Sequence, residues 1–465
     1  MTTGALGPAC LRFGLPLALG MAFHGLFNVV DLVIVGHLGA GAVAAVTAAG
    51  LVHMAVLLLF NGFIDLQAAA LGRLLGRNRR AAAVRVAEEA FTVGWIASLA
   101  VGVLLSVPAA WLVEGLIHDS SATVEGARYL SIMAWGSGTM FALLSGTVVF
   151  RSFGRSLLPM AVLIAANVLN IVLDLAWVHG LWGAPKMGVA GAAWGTVIAR
   201  GVGAAVLLFG IGSLPRPRIR WWRMRAPGPA TREALARGCV QSLRQVARVA
   251  ALYLLFRCAA GGLAARDGGS AARDLLDGVG VALRLEMVVV FAALGWGAAA
   301  ASVVARNLGK GFRNRAEGGV WYCVLGAALM AATAAFALWT WQTSALRLVA
   351  PRMTLGALRA GQAYLAWTLP AWALLAAGVV ISQGLAGAGS TKTALALDGL
   401  LYLALLVPWA YSLSGFEFSP DRLWGGLAGA HFLAAFLYAV VLRWGGWRGK
   451  TVAESGFRRT SRSLS

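Results

Sequence analysis

Twelve long apolar runs limit what this chain can fold into. Each is long enough to cross the hydrocarbon core of a bilayer, roughly 30 Å thick, which takes about 20 helical residues. A barrel strand would alternate apolar and polar residues over about ten positions, so unbroken apolar runs predict helices. The runs cover 11–38, 42–71, 89–113, 129–150, 157–182, 188–212, 235–262, 278–305, 318–346, 361–386, 393–413 and 423–444. We therefore expect an all-α polytopic membrane protein with twelve transmembrane helices.

Composition agrees with this fold class. Hydrophobic residues make up 59% of the 465 residues and charged residues 12%, whereas soluble domains average about 45–50% and about 25%. The net charge of +21 would suggest a nucleic-acid partner in a soluble chain. With the N-terminus in the cytoplasm, however, 26 of the 39 basic residues fall in cytoplasmic segments and 8 in outside loops. The positive-inside rule then places both termini in the cytoplasm, and the expected partner is the lipid bilayer of the plasma membrane, not nucleic acid.

A polar, proline-rich segment divides the twelve helices six and six. We expect an N-lobe over 1–212, a basic cytoplasmic linker over 213–237, a C-lobe over 238–444 and a basic cytoplasmic tail over 445–465. Loop motifs repeat between the halves, as in Leu75-Gly76-Arg77 and Leu308-Gly309-Lys310. Because each half has an even number of helices, the repeat predicts two pseudo-symmetric six-helix bundles of the same topology, an arrangement typical of alternating-access transporters.

Ionisable side chains within membrane helices are costly and therefore mark candidate functional positions. Five acids lie well inside the predicted spans: Asp31, Asp65, Asp174, Glu286 and Asp398.

Two of these acids lie beside amide side chains. Asn28 shares a helix face with Asp31, and Asn167 and Asn170 share one with Asp174, at spacings of three, four and seven residues. A carboxylate in such a cluster can exchange a proton for a cation, because burial and a second nearby carboxylate both raise its pKa. The alternative is that each Asp only hydrogen-bonds a neighbouring helix.

Several motifs, in this order, resemble the multidrug and toxic compound extrusion (MATE) family over nearly the whole chain. In the first half they are Gly14-Leu15-Pro16, Asn28-Val29-Val30-Asp31, Val35-Gly36-His37-Leu38-Gly39, the run NVLNIVLD over 167–174 and the run GVAGAAWGT over 188–196. In the second half they are GVALRLE over 280–286, RNLGKG over 306–311 and GLAGAGSTKT over 384–393. The resemblance implies a V-shaped pair of six-helix bundles that exports organic compounds, such as drugs and toxic metabolites, in exchange for H⁺ or Na⁺.

The same resemblance assigns a cation site to the N-lobe. It comprises Asp31, Asn170 and Asp174, with Thr196 as a fourth member, and Asp31 and Asp174 would bind the ion if it is Na⁺. No cofactor beyond this coupling ion is implied. Pro16 corresponds to a proline at which the first helix is thought to bend; since a proline removes one backbone hydrogen bond, it serves either as a hinge or as a static kink.

The second half departs from one branch of the family, in which helices seven and ten each bring an acid to a C-lobe cation site. Arg248 falls near the position of the first acid, and helix ten has none. We therefore expect coupling through the N-lobe, as in the branch that resembles the DNA-damage-inducible exporters.

The role of the C-lobe arginines has two interpretations. Arg244 and Arg248 share a helix face, and with Asn28, Asn167 and Glu286 they are candidates for lining a substrate cavity. Either the arginines are neutralised by Glu286 and Asp398 as buried pairs, or they give the cavity a positive surface that favours anionic cargo.

The leading hypothesis from sequence is a monomeric secondary antiporter for small organic compounds. The alternative is a flippase or exporter of an anionic or lipid-linked metabolite that uses the arginines. An enzyme is not expected, because an intramembrane enzyme would need paired His and acidic residues or metal-ligand spacing near one membrane face, and neither is visible. A nucleotide-driven pump is not expected either, because a Walker-type loop and a soluble domain are absent from the sequence.

Overall fold

A computed structural model describes the chain over residues 5–38, 40–114, 120–214, 218–267, 269–351, 353–413 and 419–448. No strand occurs within these ranges. The helices of the first half are α1 (Leu6–Gly36), α2 (Ala40–Gly76), α3 (Arg80–Ser106), α4 (Ala109–Glu114), α5 (Ser120–Trp135), α6 (Ser137–Ser152), α7 (Leu157–His179) and α8 (Val189–Gly210).

The second half continues with α9 (Pro229–Asp267), α10 (Gly269–Gly309), α11 (Arg313–Val349), α12 (Leu355–Thr368), α13 (Trp372–Ala388), α14 (Thr391–Asp398), α15 (Val407–Ser412) and α16 (Pro420–Trp444). A π-helical segment, Gly399–Leu406, joins α14 to α15. Each of the twelve predicted spans falls on these helices, which confirms the all-α membrane fold.

Several spans that are single apolar runs in the sequence consist of more than one helical piece in the structure, and two of them show the cause. Residues 129–150 belong to α5 and α6, which meet at a bend of 44°. Gly136 lies at this bend, where a side chain would collide with Val197 of α8. In the tenth span a short 3₁₀ turn at Leu369–Ala371 separates α12 from α13, because Pro370 cannot donate a backbone hydrogen bond to an α-helix.

Nine helices of the described residues are long and apolar enough to cross a membrane, or ten if the bent pair counts as one span. They are Leu6–Phe23, Arg80–Ser106, Leu157–His179, Val189–Ser213, Asp274–Gly309, Arg313–Val349, Leu355–Ala388, Thr391–Ser412 and Pro420–Trp444. The chain is therefore a multi-pass membrane protein.

The chain divides into two compact units. Over the described residues, unit 1 comprises 5–25, Leu243–Val304 and 312–448, and unit 2 comprises Leu26–Ser242 and Ala305–Gly311. In unit 1, α13 packs against α11 and α16, around large buried side chains that include Trp372, Trp424 and Tyr364.

In unit 2, α8 packs against α7 and α6, and α2 packs against α5. Phe60, Phe63 and Phe141 form part of its apolar core. The lobe boundaries at 212 and 238 remain predictions, and most of the tail, 449–465, lies outside the described residues.

Within unit 2, the predicted linker is bound to α3 by buried polar side chains. Glu88, with 4% of its surface exposed, accepts a hydrogen bond from the Arg220 backbone N–H at 3.0 Å and forms a 2.8 Å ion pair with Arg225 Nε. The Arg225 backbone N–H donates to Thr92 Oγ1 at 2.9 Å.

The next carboxylate continues this contact. Glu89 Oε2 accepts from the Gly228 backbone N–H at 3.0 Å and from the Thr231 hydroxyl. Hydrogen bonds to a carboxylate are about twice as strong as neutral ones, so this part of the linker is an ordered segment of unit 2.

Candidate functional site

The candidate coupling residues of α7 lie on its buried face. Asp174 is fully buried at 0% exposure and Asn170 is 3% exposed, whereas Asn167, one turn earlier, is partly buried. The spacing that places them on one face in the sequence is thus realised in the helix. These three polar residues form a row on an otherwise apolar helix that packs within unit 2.

Helix α8 approaches α7 very closely at this carboxylate. A side chain at Gly195 would collide with Asp174 Oδ1, and one at Gly191 would meet the backbone of Trp177 at 2.8 Å. Gly191 and Gly195 are four residues apart, the small-residue spacing that lets membrane helices approach backbone to backbone. Thr196, which follows Gly195, is itself 3% exposed, so the packing of the two helices accounts for the burial of both residues.

The amide groups in this row have unused hydrogen-bonding capacity. Asn167 Nδ2 and Asn170 Nδ2 are buried and have no hydrogen-bond partner in the described part of the chain. Because the oxygen and nitrogen of an amide are assigned from the surrounding hydrogen bonds, either atom can face a ligand. Carboxylate, amide carbonyl and hydroxyl oxygens are the ligands that hard cations prefer.

Two predicted site residues cannot be placed. The side chains of Asp31 and Asn28 lie outside the described residues, although the α1 backbone that carries them is described. No group of three or more His, Cys, Asp or Glu side chains suited to a metal occurs in the described ranges. Pro16 lies within α1, which remains one helix from Leu6 to Gly36; it belongs to unit 1, whereas Asp174 belongs to unit 2.

Asp65 on α2 also lies in unit 2. Its Oδ2 accepts a hydrogen bond from Gln241 Nε2 of α9 at 3.2 Å. This contact joins α2 to the first part of α9, a pairing that the position of Asp65 in the sequence did not indicate.

The helix arginines of unit 1 lie together around one buried carboxylate. Arg244 Nε is 3.8 Å and Arg248 Nε is 3.7 Å from Asp398 Oδ2, and Asp398 is fully buried. Tyr438 donates a 2.6 Å hydrogen bond to Asp398 Oδ1. Arg248 donates to Tyr402 Oη at 3.0 Å, and its guanidinium lies 4.9 Å from the centre of the Tyr402 ring, within the range of cation–π attraction.

Glu286 lies in a different setting. Its Oε2 accepts hydrogen bonds from Tyr364 Oη at 2.9 Å and from Trp372 Nε1 at 3.2 Å. Both donors are neutral. The proposed pairing of the arginines with buried acids therefore agrees with the structure for Asp398, whereas the described contacts of Glu286 are not with Arg244 or Arg248.

Three residues of this arrangement were not found by sequence analysis: Tyr402, His431 and Tyr438. Tyr402 follows Asp398 by four residues, so a search for polar side chains on one helix face could have found it. His431 and Tyr438 are on α16, and their local sequence carries no signal that Tyr438 contacts Asp398 or that His431 lies near Arg248.

The comparisons with known proteins agree with this architecture. The family model MatE matches residues 16–176 and 269–411. The chain is 29% identical over 238 residues to the probable multidrug resistance protein NorM of Bradyrhizobium diazoefficiens, a match that covers 49% of each chain. It is 31% identical over 207 residues to the DNA damage-inducible protein F of Escherichia coli, with 42% of each chain covered.

A solved structure of a MATE protein in complex with MaL6 superposes on the chain with a TM-score of 0.84. The superposition covers 95% of this chain and 96% of the other at 21% identity. The chain spans about half the length or less of the curated relatives it matches. The family model covers more than half of the chain. The chain belongs to the MATE family.

Proposed function

We propose that the chain is a secondary antiporter that exports small organic compounds in exchange for H⁺ or Na⁺. Coupling runs through Asp174, with Asn170, Thr196 and Asp31 as further members of the site. The coupling ion and the cargo occupy the protein in turn, so that inward movement of the ion drives outward movement of the cargo by alternating access.

The observation that carries this proposal is the complete burial of Asp174 on a membrane helix. An ionised carboxylate away from water is expensive, so it gains stability when it binds a proton or a cation. The amides of Asn167 and Asn170 on the same face offer further polar atoms to an ion. The MATE membership of the chain and the multidrug resistance named for its relatives support organic compounds as cargo.

The test uses the full chain in proteoliposomes with an imposed Na⁺ or pH gradient and a panel of cationic and anionic dyes. The wild-type protein should move dye and ion in opposite directions. Asp174→Asn should abolish this exchange because the amide cannot trade a proton for a cation, and Asp31→Asn should do the same. Both variants should insert and elute from size exclusion like the wild type.

Asp277→Asn serves as the matched control, since Asp277 is an exposed acid on α10. It should exchange at the wild-type rate. Gradient-driven transport by Asp174→Asn at that same rate would show that coupling does not use this carboxylate.

A further inference from the structure

The feature that the proposed coupling site leaves unexplained is the buried group around Asp398 in unit 1. Within this trio, two guanidinium groups, Arg244 and Arg248, make ion contacts with one carboxylate oxygen, Asp398 Oδ2. The three side chains therefore carry a net charge of +1. Arg244 is 3% exposed and Asp398 is 0% exposed, whereas Arg248 is 23% exposed, so the guanidinium of Arg244 is shielded from bulk solvent and Asp398 must be shared between the two cations. Leaving a buried charge uncompensated costs several kcal/mol.

The guanidinium groups of the trio also lack hydrogen-bond acceptors. The Nε atoms of Arg244 and Arg248 lie 3.8 and 3.7 Å from Asp398 Oδ2, whereas charge-assisted hydrogen bonds measure about 2.7–2.9 Å. Arg244 Nε and Nη1 are buried with no hydrogen-bond partner in the described part of the chain. In an ion pair with a purely structural role, we would expect the guanidinium and the carboxylate to approach to hydrogen-bond distance, since the two groups fit each other with two parallel hydrogen bonds.

The surroundings of the trio add polar groups. His431 is 4% exposed, lies within range of the positive charge of Arg248, and its Nδ1 has no hydrogen-bond partner among the described residues. Asp398 is fixed on its other side by Tyr438. The π-helical segment Gly399–Leu406 begins directly after Asp398, and such segments often occur at functional sites.

We propose that Arg244 and Arg248 form an anion-binding site inside unit 1, and that Asp398 is an internal carboxylate which occupies it in competition with an external anion. The anion is a carboxylate, sulfonate or phosphate monoester, because a guanidinium recognises planar or tetrahedral oxyanions with paired donors. As a statement about cargo, this inference rests on the proposed export function: the transported compounds then include organic anions. As a statement about binding, it stands without transport.

Binding is tested on the full chain in a non-ionic detergent, by thermal unfolding with naphthalene-2-carboxylate and with its neutral match, naphthalene-2-carboxamide. The carboxylate should raise the unfolding temperature in a saturable way, because a ligand that binds only the folded state stabilises it. The carboxamide should not. Equal stabilisation by both compounds, or by neither, would overturn the proposal.

Variants then locate the site. Arg244→Gln should abolish the stabilisation by the carboxylate, and Asp398→Asn should strengthen it, with a dissociation constant lower by about tenfold, since the competing carboxylate is gone. Arg443→Gln is the control, because Arg443 is 62% exposed and pairs with Glu317 elsewhere in unit 1. If Arg244→Gln does not fold, the affinity of Asp398→Asn for naphthalene-2-carboxylate tests the proposal. Binding that is no tighter than in the wild type would contradict competition between Asp398 and an external anion.

Two further experiments are needed. One distinguishes a lipid headgroup from a soluble anion, and the other distinguishes loss of anion binding from loss of transport. Nanodiscs of phosphatidylcholine with and without phosphatidylglycerol show whether a lipid headgroup occupies the site: if so, the added anionic lipid should displace naphthalene-2-carboxylate from the wild type and from Asp398→Asn alike, because both proteins keep Arg244 and Arg248. If it displaces the probe from neither, the ligand is a soluble anion. Asp174→Asn should still bind the carboxylate although it no longer exchanges ions, so a loss of transport and a loss of anion binding are distinguishable.

Discussion

Asp174 and Gly195 are the pair on which the candidate coupling site depends at the scale of single residues. The carboxylate lies against the α8 backbone at a position where no side chain fits. A methyl group there would push α8 away from α7 or turn the carboxylate out of its place. The same contact that buries Asp174 also brings Thr196 into the buried part of unit 2.

Gly195→Ala should therefore lower stability and impair exchange together. Overpacking a tight contact typically costs about 1–3 kcal/mol, which is measurable as a lower unfolding temperature in detergent. Gly201→Ala on the same helix is the control, since its methyl group would meet Thr139 Cγ2 at an ordinary 3.5 Å. Identical unfolding temperatures and exchange rates for the two variants would contradict this account of the site.

Sequence analysis could predict the α7 residues of this site because a helix converts spacing into a shared face. Asn170 and Asp174 needed only their separation and the apolar run around them. Tyr438 was out of reach, because it contacts Asp398 across 40 positions of sequence and its own neighbours on α16 are apolar. Polar contacts between distant helices depend on packing, and one sequence alone does not contain the pairing of helices.

At the scale of elements, the contacts of the linker also could not be predicted from its own sequence. Its composition, rich in proline and arginine, predicts a basic cytoplasmic linker. The structure binds residues 220–231 to α3 through two buried carboxylates. The partners that make it ordered, Glu88 and Glu89, are adjacent acids on a helix more than a hundred residues earlier. The breaks within the predicted spans are also properties of elements: they follow from Gly136 and Pro370, which local sequence can suggest but not assign.

Glu89→Ala should free the linker without unfolding the membrane helices. It removes the acceptor for the Gly228 backbone N–H and the Thr231 hydroxyl. Hydrogen bonds to charged groups are worth about 1.5–3 kcal/mol, so opening of this segment should become at least about tenfold more frequent. Limited trypsin digestion measures this, because the linker carries arginines 218, 220, 223 and 225 and cleavage follows the open population.

Glu125→Ala, at an exposed acid of α5, is the control for this digestion. Its cleavage rate should match the wild type. Unchanged cleavage in Glu89→Ala would mean that these hydrogen bonds do not hold the linker in place.

At the scale of the whole molecule, the high net charge is understood from where the basic residues lie in the sequence. A net charge of +21 on a chain with so few charged residues separates into loop arginines, which bear on topology, and a few helix arginines, which bear on chemistry. Of the latter, Arg244 and Arg248 share Asp398, whereas the side chain of Arg257 lies outside the described residues. The fold class and the family followed from sequence, because apolar runs and the order of motifs can be identified along a single chain without knowledge of its packing. The side-chain environment of the arginines did not, because it requires α9, α14 and α16 together.

The loop charges predict that both termini lie in the cytoplasm, and reporter fusions test this directly. Green fluorescent protein fused after Ser465 should fluoresce, since it folds in the cytoplasm, and alkaline phosphatase at the same position should be inactive because its disulfides form only in an oxidising compartment. Fused after Lys186, between α7 and α8, the two reporters should give the opposite result, because this loop is predicted to lie outside with a single basic residue. Phosphatase activity at Ser465 combined with fluorescence at Lys186 would invert the topology, and the direction of ion and cargo movement proposed for the chain would invert with it.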